Sequence, residues 1–187
     1  MCVDSGRLRT LLVTASPKTR PAIGWREWLA LPELGIERIK VKVDTGARSS
    51  SLHAYDIHVF TRQGAEWVRF KVHPLQRDSS MTVITEAPLL DHRWVTSSGG
   101  HRTLRAVVQT DVLWLGQRWP IELTLVRRDQ MGFRMLLGRE AVRGRFVVDP
   151  ARSYVGGRGP RIRKRHANTR SGRSSRSTPP TRRKASP

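Results

Sequence analysis

The sequence has almost no cysteine and no long apolar run. Cys2 is the only cysteine among 187 residues, so no disulfide framework and no thiolate metal site can form within the chain. This composition fits a reducing compartment, and we therefore expect a cytoplasmic protein. No run reaches the roughly eighteen apolar residues of a membrane helix, so we expect no membrane span.

Acidic residues are missing from the carboxyl end. The formal net charge is +20, and residues 157–187 hold eleven Lys or Arg residues and no Asp or Glu. This segment has too few apolar side chains to offset the entropy of ordering it, which predicts a disordered basic tail. Residues 1–20 contain no convincing periodic element, which predicts a flexible N-terminal segment.

Residues 21–156 are the predicted folded domain. From residue 21 to residue 155 the chain has twenty Lys or Arg against fourteen Asp or Glu, so its charge is only mildly basic. All six tryptophans lie there, and a stretch of this size can build a core.

The apolar pattern predicts a mostly β fold. Helix signals are weak, and only residues 139–143 indicate a short helical turn, which Gly144 would end. Many short strands with Gly and Pro turns are typical of a small barrel or sandwich. The predicted strands cover residues 38–43, 57–60, 67–72, 82–84, 104–112, 121–126, 133–137 and 145–149.

Asp44 follows one of these apolar strands and enters a tight turn with Thr45 and Gly46. Gly46 allows the turn without a Cβ penalty, and Thr45 would brace the loop by a local hydrogen bond. A carboxylate on such a loop is positioned for proton transfer. A turn Asp that only caps a strand is the alternative interpretation of these three residues. A second feature lies 94 residues later, where the apolar run Met135–Leu137 ends at Gly138-Arg139.

Together these two motifs resemble the retropepsin-like aspartic proteases, and more narrowly a bacterial branch labelled ATP-dependent zinc proteases. The resemblance covers about residues 22–156. It implies a small closed or partly closed β-barrel with one short helix near the C-terminal end of the domain. It assigns catalysis to Asp44, loop support to Thr45, Gly46 and Ala47, and interface or loop anchoring to Gly138 and Arg139.

The chemistry of that family requires two facing carboxylates that share one proton. This chain contains one Asp-Thr-Gly, so the second Asp44 must come from a second copy through a two-fold axis. The resemblance also implies a flap over the substrate. The best match is the glycine-bearing segment at Ser98, Gly99 and Gly100, and the alternative is an ordinary exposed turn.

One residue departs from the viral pattern. Viral members carry an acid four residues after the catalytic Asp, where it pairs with the arginine of the late Gly-Arg. Here that position is Arg48, which would repel Arg139. We hypothesise that Glu140 or Asp149 supplies the missing negative charge.

Cofactor motifs are missing from the sequence. It contains no His-Glu-x-x-His helix and no phosphate-binding Gly-x-x-x-x-Gly-Lys loop, so we expect neither zinc nor ATP. His53 and His58, five apart on one predicted strand, would face opposite sides. In this family the association with ATP would come from a neighbouring ATP-grasp glutamate ligase, as a partner enzyme.

Three functional hypotheses follow. The first is a homodimeric aspartic endopeptidase that acts on peptides or proteins, with acidic substrates suited to a basic chain. The second is a non-catalytic peptide-binding or regulatory module on the same fold, partnering the glutamate ligase. The third, with least support, is a zinc-dependent protease. The basic tail would add nonspecific contact with RNA or ribosomes.

Overall fold

The structure is a computed structural model that describes residues 19–76, 81–96, 99–127 and 132–158. Within these ranges it contains eleven β-strands, a 3-10 helix and the short helix α1 (Arg139–Val142). The 3-10 helix spans Pro32–Leu34. The strands are β1 (Ala22–Gly24), β2 (Arg26–Leu31), β3 (Ile36–Asp44), β4 (Ser50–His53), β5 (Tyr55–Arg62), β6 (Ala65–Val72), β7 (Val83–Thr96), β8 (Arg102–Trp114), β9 (Gln117–Val126), β10 (Met135–Gly138) and β11 (Val147–Asp149).

Nine of these strands form one sheet in the order β2-β3-β10-β4-β9-β8-β7-β6-β5. A further pairing between Ala30 of β2 and Leu113 of β8 closes the first six strands of that order into a ring. Strands β1 and β11 pair in parallel as a separate two-stranded sheet. The predicted fold class, a small and partly closed β-barrel with one short helix, is confirmed.

Strand β10 lies between β3 and β4 and brings the two sequence motifs together. It runs parallel to β3, so that Gly138 is the register partner of Asp44. On its other side it runs antiparallel to β4. Two segments that are far apart in the sequence therefore end at the same edge of the barrel.

Burial on β3 alternates strictly before Asp44. Ile39, Val41 and Val43 face the core, while Lys40 and Lys42 face outward. Each buried apolar side chain contributes about 1.5–3 kcal/mol. A one-residue slip of β3 would expose all three of them, so the core fixes the register that delivers Asp44 to the end of the strand.

The prediction for β7 was wrong in length. Residues 82–84 were expected to form a short strand, whereas β7 has 14 residues. Pro88 and Asp91 interrupt the apolar alternation, but the first half of the strand pairs with β6 and the second half with β8. The register shifts between Leu89 and Asp91, which accommodates the change of partner.

The sequence pattern also missed β1, β2 and β4. In β2 the buried Glu27 interrupts the apolar alternation of Leu29 and Leu31. The single strand expected to carry His53 and His58 is not present, because β4 ends at His53 and His58 lies in β5.

The two predicted terminal segments lie largely outside the described residues. The N-terminal segment 1–20 is described only at residues 19 and 20, and the basic tail 157–187 only at residues 157 and 158. In the part of the chain that is described, no helix has the length and apolar composition needed to cross a membrane.

Candidate functional site

Asp44 is the last residue of β3 and is half-buried. Its Oδ1 accepts hydrogen bonds from the backbone N–H groups of Gly46 and Ala47, each at 3.2 Å. The loop therefore orients the carboxylate through one oxygen, as an Asx turn does. The side chain of Thr45 is exposed, and its bracing role stays a prediction beside these two backbone hydrogen bonds.

The start of α1 holds the same loop from the other side. The Arg139 N–H donates to the Ala47 carbonyl at 2.9 Å, and the Glu140 N–H donates to the Arg48 carbonyl at 3.2 Å. The Arg139 guanidinium also donates to the Gly46 carbonyl at 3.3 Å. The predicted anchoring residue thus contacts the loop through both its backbone and its side chain.

Gly138 allows this close contact. A Cβ atom at this position would lie 2.5 Å from the carbonyl carbon and oxygen of Ser49 and 2.7 Å from the Arg48 oxygen. These neighbours are backbone atoms, which cannot move aside as a flexible side chain can. Glycine is therefore required here by close approach of two backbones.

Ser50 is a site residue that the sequence interpretation missed. It was treated as part of a polar run at a strand edge, but it is buried at the start of β4. Its Oγ accepts a hydrogen bond from the Gly138 N–H at 3.1 Å, and its carbonyl accepts one from the Thr124 hydroxyl. Its position two residues before the buried Leu52 was the signal that could have placed it on the inner face.

The charges around Arg48 differ from the hypothesised pairing. Glu140 forms an ion pair with Arg143 at 2.8 Å, one turn along α1. Asp149 accepts a hydrogen bond from the Ala151 N–H at 2.9 Å in its own turn. Within one chain, both carboxylates thus have local partners, and Arg139 binds a carbonyl oxygen instead of an acid.

The segment matched to a flap follows the long strand β7 and precedes β8. Ser98 lies outside the described residues, whereas Gly99 and Gly100 are described and exposed. Gly100 has a φ of +81°, a conformation that favours glycine. The segment is thus placed at the end of a two-stranded arm, as a flap would be, and its role stays a prediction.

A cavity of about 600 Å³ adjoins the Asp44 loop. Arg93 of β7 reaches it from the strand that leads to the predicted flap, and the Glu122 carboxylate binds Arg93 at 2.7 Å. This contact raises the pKa of Arg93 above its usual range. The lining residues are Arg48, Ser49, Ser50, Arg93, Pro120, Ile121, Glu122, Glu140 and Ala141.

Metal-ligating side chains do not cluster in the described part of the chain. No group of three or more His, Cys, Asp or Glu residues within those ranges could hold a metal ion. His53 is buried in β4, while His58 is exposed on β5. We therefore derive no catalytic step through zinc.

The partly closed barrel, with its Asp-bearing loop tied to a Gly-Arg strand end, has the fold of the retropepsin-like acid proteases. The chain belongs to the family described as the retropepsin-like aspartic endopeptidase RimB, whose model matches residues 22–159. Asp44, Gly138 and Arg139 all lie within the matched range.

Curated relatives of this chain carry a different name. The chain is 48% identical over 132 residues to a probable alpha-L-glutamate ligase of Parasynechococcus marenigrum, a match that covers 71% of this chain and 28% of the relative. It is 50% identical over 129 residues to a protein of the same name from Desulfotalea psychrophila, covering 69% of this chain and 28% of the relative. The chain thus spans less than a third of the length of these relatives.

A solved structure shares the fold. The crystal structure of a Legionella pneumophila protein of unknown function superposes with a TM-score of 0.61, and the match covers 74% of this chain and 99% of that one. The two sequences are 24% identical, so the likeness concerns the fold alone.

Proposed function

We propose that this protein is an aspartic endopeptidase whose active site is completed by Asp44 of a second copy. The observation that carries the proposal is the geometry at the end of β3. Asp44 accepts two loop N–H groups through Oδ1, and Arg139 contacts the same loop. The close packing at Gly138 holds the Asp44 loop more tightly than a turn Asp that only caps a strand requires. The family match adds a second reason to assign catalysis to Asp44.

The mechanism needs two such carboxylates in contact. Two carboxyl groups about 3 Å apart cannot both ionise, so the pair holds one proton between them. The ionised member takes a proton from the attacking water, and the protonated member donates to the scissile carbonyl oxygen. The two apparent pKa values belong to the pair and not to either Asp44.

A two-fold axis would supply the second carboxylate. The described chain contains one Asp-Thr-Gly loop, and Thr45, Gly46 and Arg48 within it are exposed. An isologous interface places the same surface of both copies face to face, so these loops would meet at the axis. In this arrangement the catalytic unit is the folded domain of residues 21–156, used twice.

Peptides are the proposed substrates, with acidic peptides as the favoured class. The cavity beside the loop has a volume of about 600 Å³, and Arg48 and Arg93 line it together with two glutamates. The chain's net charge of +20 would attract acidic segments over a long range. The single cysteine, Cys2, fits a cytoplasmic location for this activity.

The names of the curated relatives favour a second candidate function. Both are named probable alpha-L-glutamate ligase, and the region they share with this chain is 28% of their length. A domain that shares a chain with a ligase is well placed to serve that ligase. This chain would then be a non-catalytic module that binds acidic peptides for an ATP-grasp glutamate ligase.

Peptide cleavage by an Asp44→Asn variant distinguishes these functions. Asn keeps an oxygen for the Gly46 and Ala47 N–H groups but cannot share the catalytic proton, so hydrolysis should fall by about a thousandfold or more. Asp149→Asn is the matched control, because Asp149 also ends a strand and accepts an N–H two residues later. Acidic and generic peptides would be incubated with each protein between about pH 4 and pH 8.

Four results of this cleavage experiment lead to different conclusions about the function. Cleavage by the native protein and by Asp149→Asn, but not by Asp44→Asn, supports the aspartic mechanism. Activity that survives Asp44→Asn contradicts it. Activity that is lost only after treatment with a chelator points to a metal-dependent protease. Tight binding of acidic peptides without any cleavage favours the ligase-associated module.

A further inference from the structure

A ring of three aromatic and two cationic side chains lies on the outside of the barrel, along β2 and β3. The Arg26 guanidinium lies 4.5 Å from the ring centre of Trp25 and 4.9 Å from that of Tyr154. The Lys40 ammonium lies 5.7 Å from the centre of Tyr154 and 5.2 Å from that of Phe133. Phe133 and Trp25 close the ring edge to face at 6.1 Å. We call these five residues the basic aromatic face.

A second pair of the same kind continues this face along the two strands. Trp28 of β2 is the register partner of Lys40, and the Arg38 guanidinium lies 5.9 Å from its ring centre. Arg38 also donates a hydrogen bond to the Arg158 carbonyl at 3.3 Å. Arg158 is itself basic, so this hydrogen bond to its backbone adds a third cationic residue beside Arg38 and Lys40.

The face is distinct from the candidate active site. Arg38 and Lys40 point outward on β3, on the side opposite the buried Ile39 and Val41. Lys40 precedes Asp44 by four residues, which corresponds to about 13 Å along a strand. None of the five residues lines the cavity beside the Asp44 loop.

Charge excludes two possible occupants of the face. A second copy that met this face through a two-fold axis would place Arg26, Arg38 and Lys40 against their own counterparts, which like charges oppose. Residues 159–187 contain ten Lys or Arg and no acidic residue, so this segment would also be repelled. A polyanion is the partner that complements the positive charge of the face.

The aromatic rings narrow the choice of polyanion. Trp25, Trp28, Phe133 and Tyr154 are each half-buried. Nucleobases stack on aromatic rings while neighbouring cations bind the phosphates. The carboxylates of an acidic peptide pair with the cations but do not stack on the rings. We propose that this face binds single-stranded RNA, which is the single-stranded nucleic acid of the cytoplasm, where we expect this protein. This binding is independent of the proposed peptidase activity.

Fluorescence anisotropy with a labelled single-stranded RNA of about twelve nucleotides tests the proposal on the full chain. The double variant Trp28→Ala/Arg38→Gln should weaken binding about tenfold or more, through the loss of one stacking ring and one cation. The matched control is Trp94→Ala/Arg102→Gln, which removes a pair at 5.0 Å on the β7–β8 arm and should change affinity less than about twofold. Thermal unfolding would verify that both variants are folded.

If the loss of Trp28 disturbs the fold, the single variant Lys40→Gln provides a second test through the salt dependence of RNA affinity. Removing one phosphate-binding cation should reduce the slope of log affinity against log salt by about one. An abasic oligonucleotide of the same length should bind at least about fivefold more weakly than the RNA, because it offers no bases to stack.

Three outcomes would overturn the proposal. The first is equal loss of binding in the Trp28/Arg38 and Trp94/Arg102 variants. The second is equal affinity for the abasic oligonucleotide and the RNA. The third is displacement of the RNA by poly-L-glutamate when its carboxylate concentration equals the phosphate concentration of the RNA. That result would mean that the face binds acidic protein segments. Asp44→Asn should bind RNA as the native chain does, which separates this proposal from the peptidase.

Discussion

At the scale of single residues, the candidate site depends on Gly138 as well as on Asp44. The end of β10 and the loop at residues 48–50 approach so closely that only a hydrogen atom fits between them. The same contact carries the hydrogen bond from the Gly138 N–H to Ser50. The position of the Asp44 loop is thus coupled to the packing of a strand that lies far away in the sequence.

Gly138→Ala should therefore reduce both stability and activity. Its methyl group would press on backbone atoms of Arg48 and Ser49, which should cost about 1–3 kcal/mol of unfolding free energy and displace the loop. Gly132→Ala is the control, because among the described residues its Cβ would meet the Gln76 side chain at an ordinary contact distance of 3.8 Å. Urea unfolding measures the first effect and peptide cleavage the second. An unchanged urea midpoint for Gly138→Ala would contradict the packing argument.

The sequence predicted some residues of the site better than others. Asp44 and Gly138 stand at the ends of apolar runs, and β10 brings them into register. Ser50 and Glu27 were missed because burial of a polar side chain depends on contacts between distant segments. Glu27 is fully buried, and it accepts hydrogen bonds from the N–H groups of Gly24, Val155 and Gly156. Two of these three donors lie more than 120 residues away.

At the scale of elements, β7 is the predicted strand whose length the sequence pattern underestimated most. Local alternation identifies a strand that packs on one side, and it predicted β3 and β6 to within two residues at each end. It fails for β7, which changes its partner from β6 to β8 part way along its length. Strand β7 contains Pro88 and a register shift at Leu89, because its two halves pair with different strands.

Two matched glycine variants test whether this arm is a flap. Gly100, between β7 and β8, and Gly64, between β5 and β6, both have positive φ, at +81° and +78°, and a Cβ at either would meet no described atom within 4 Å. Alanine at either position should cost about 1–2 kcal/mol through the same backbone strain. Only Gly100→Ala should also lower kcat several-fold, because it stiffens the segment that closes over the substrate.

Steady-state kinetics and urea unfolding on both variants provide the comparison. Equal stability losses with unequal kcat values support a flap at residues 98–100. If Gly100→Ala and Gly64→Ala retain the same kcat, the segment is an ordinary exposed turn and the flap assignment is wrong.

At the scale of the whole molecule, the proposed active site needs two chains, because each chain contributes a single Asp44 loop. The barrel closes through β2 and β8, and the Asp44 loop lies at its surface with Thr45, Gly46 and Arg48 exposed. The fold class could be predicted from the sequence because the apolar strands and the two motifs agree with each other. The interface could not be predicted in detail, since Arg48 replaces the viral acid, and Glu140 and Asp149 have local partners.

The central claim is that two Asp44 residues from two chains form each active site. Mixing native protein with Asp44→Asn under conditions that allow subunits to exchange tests it directly. At equal amounts of the two chains and the same total chain concentration as an all-native sample, only about one quarter of the dimers would contain two native chains, so activity should fall to about one quarter. The same mixture with Asp149→Asn should keep full activity. Activity of about one half, linear in the native fraction, would mean that each chain works alone and would contradict the shared site.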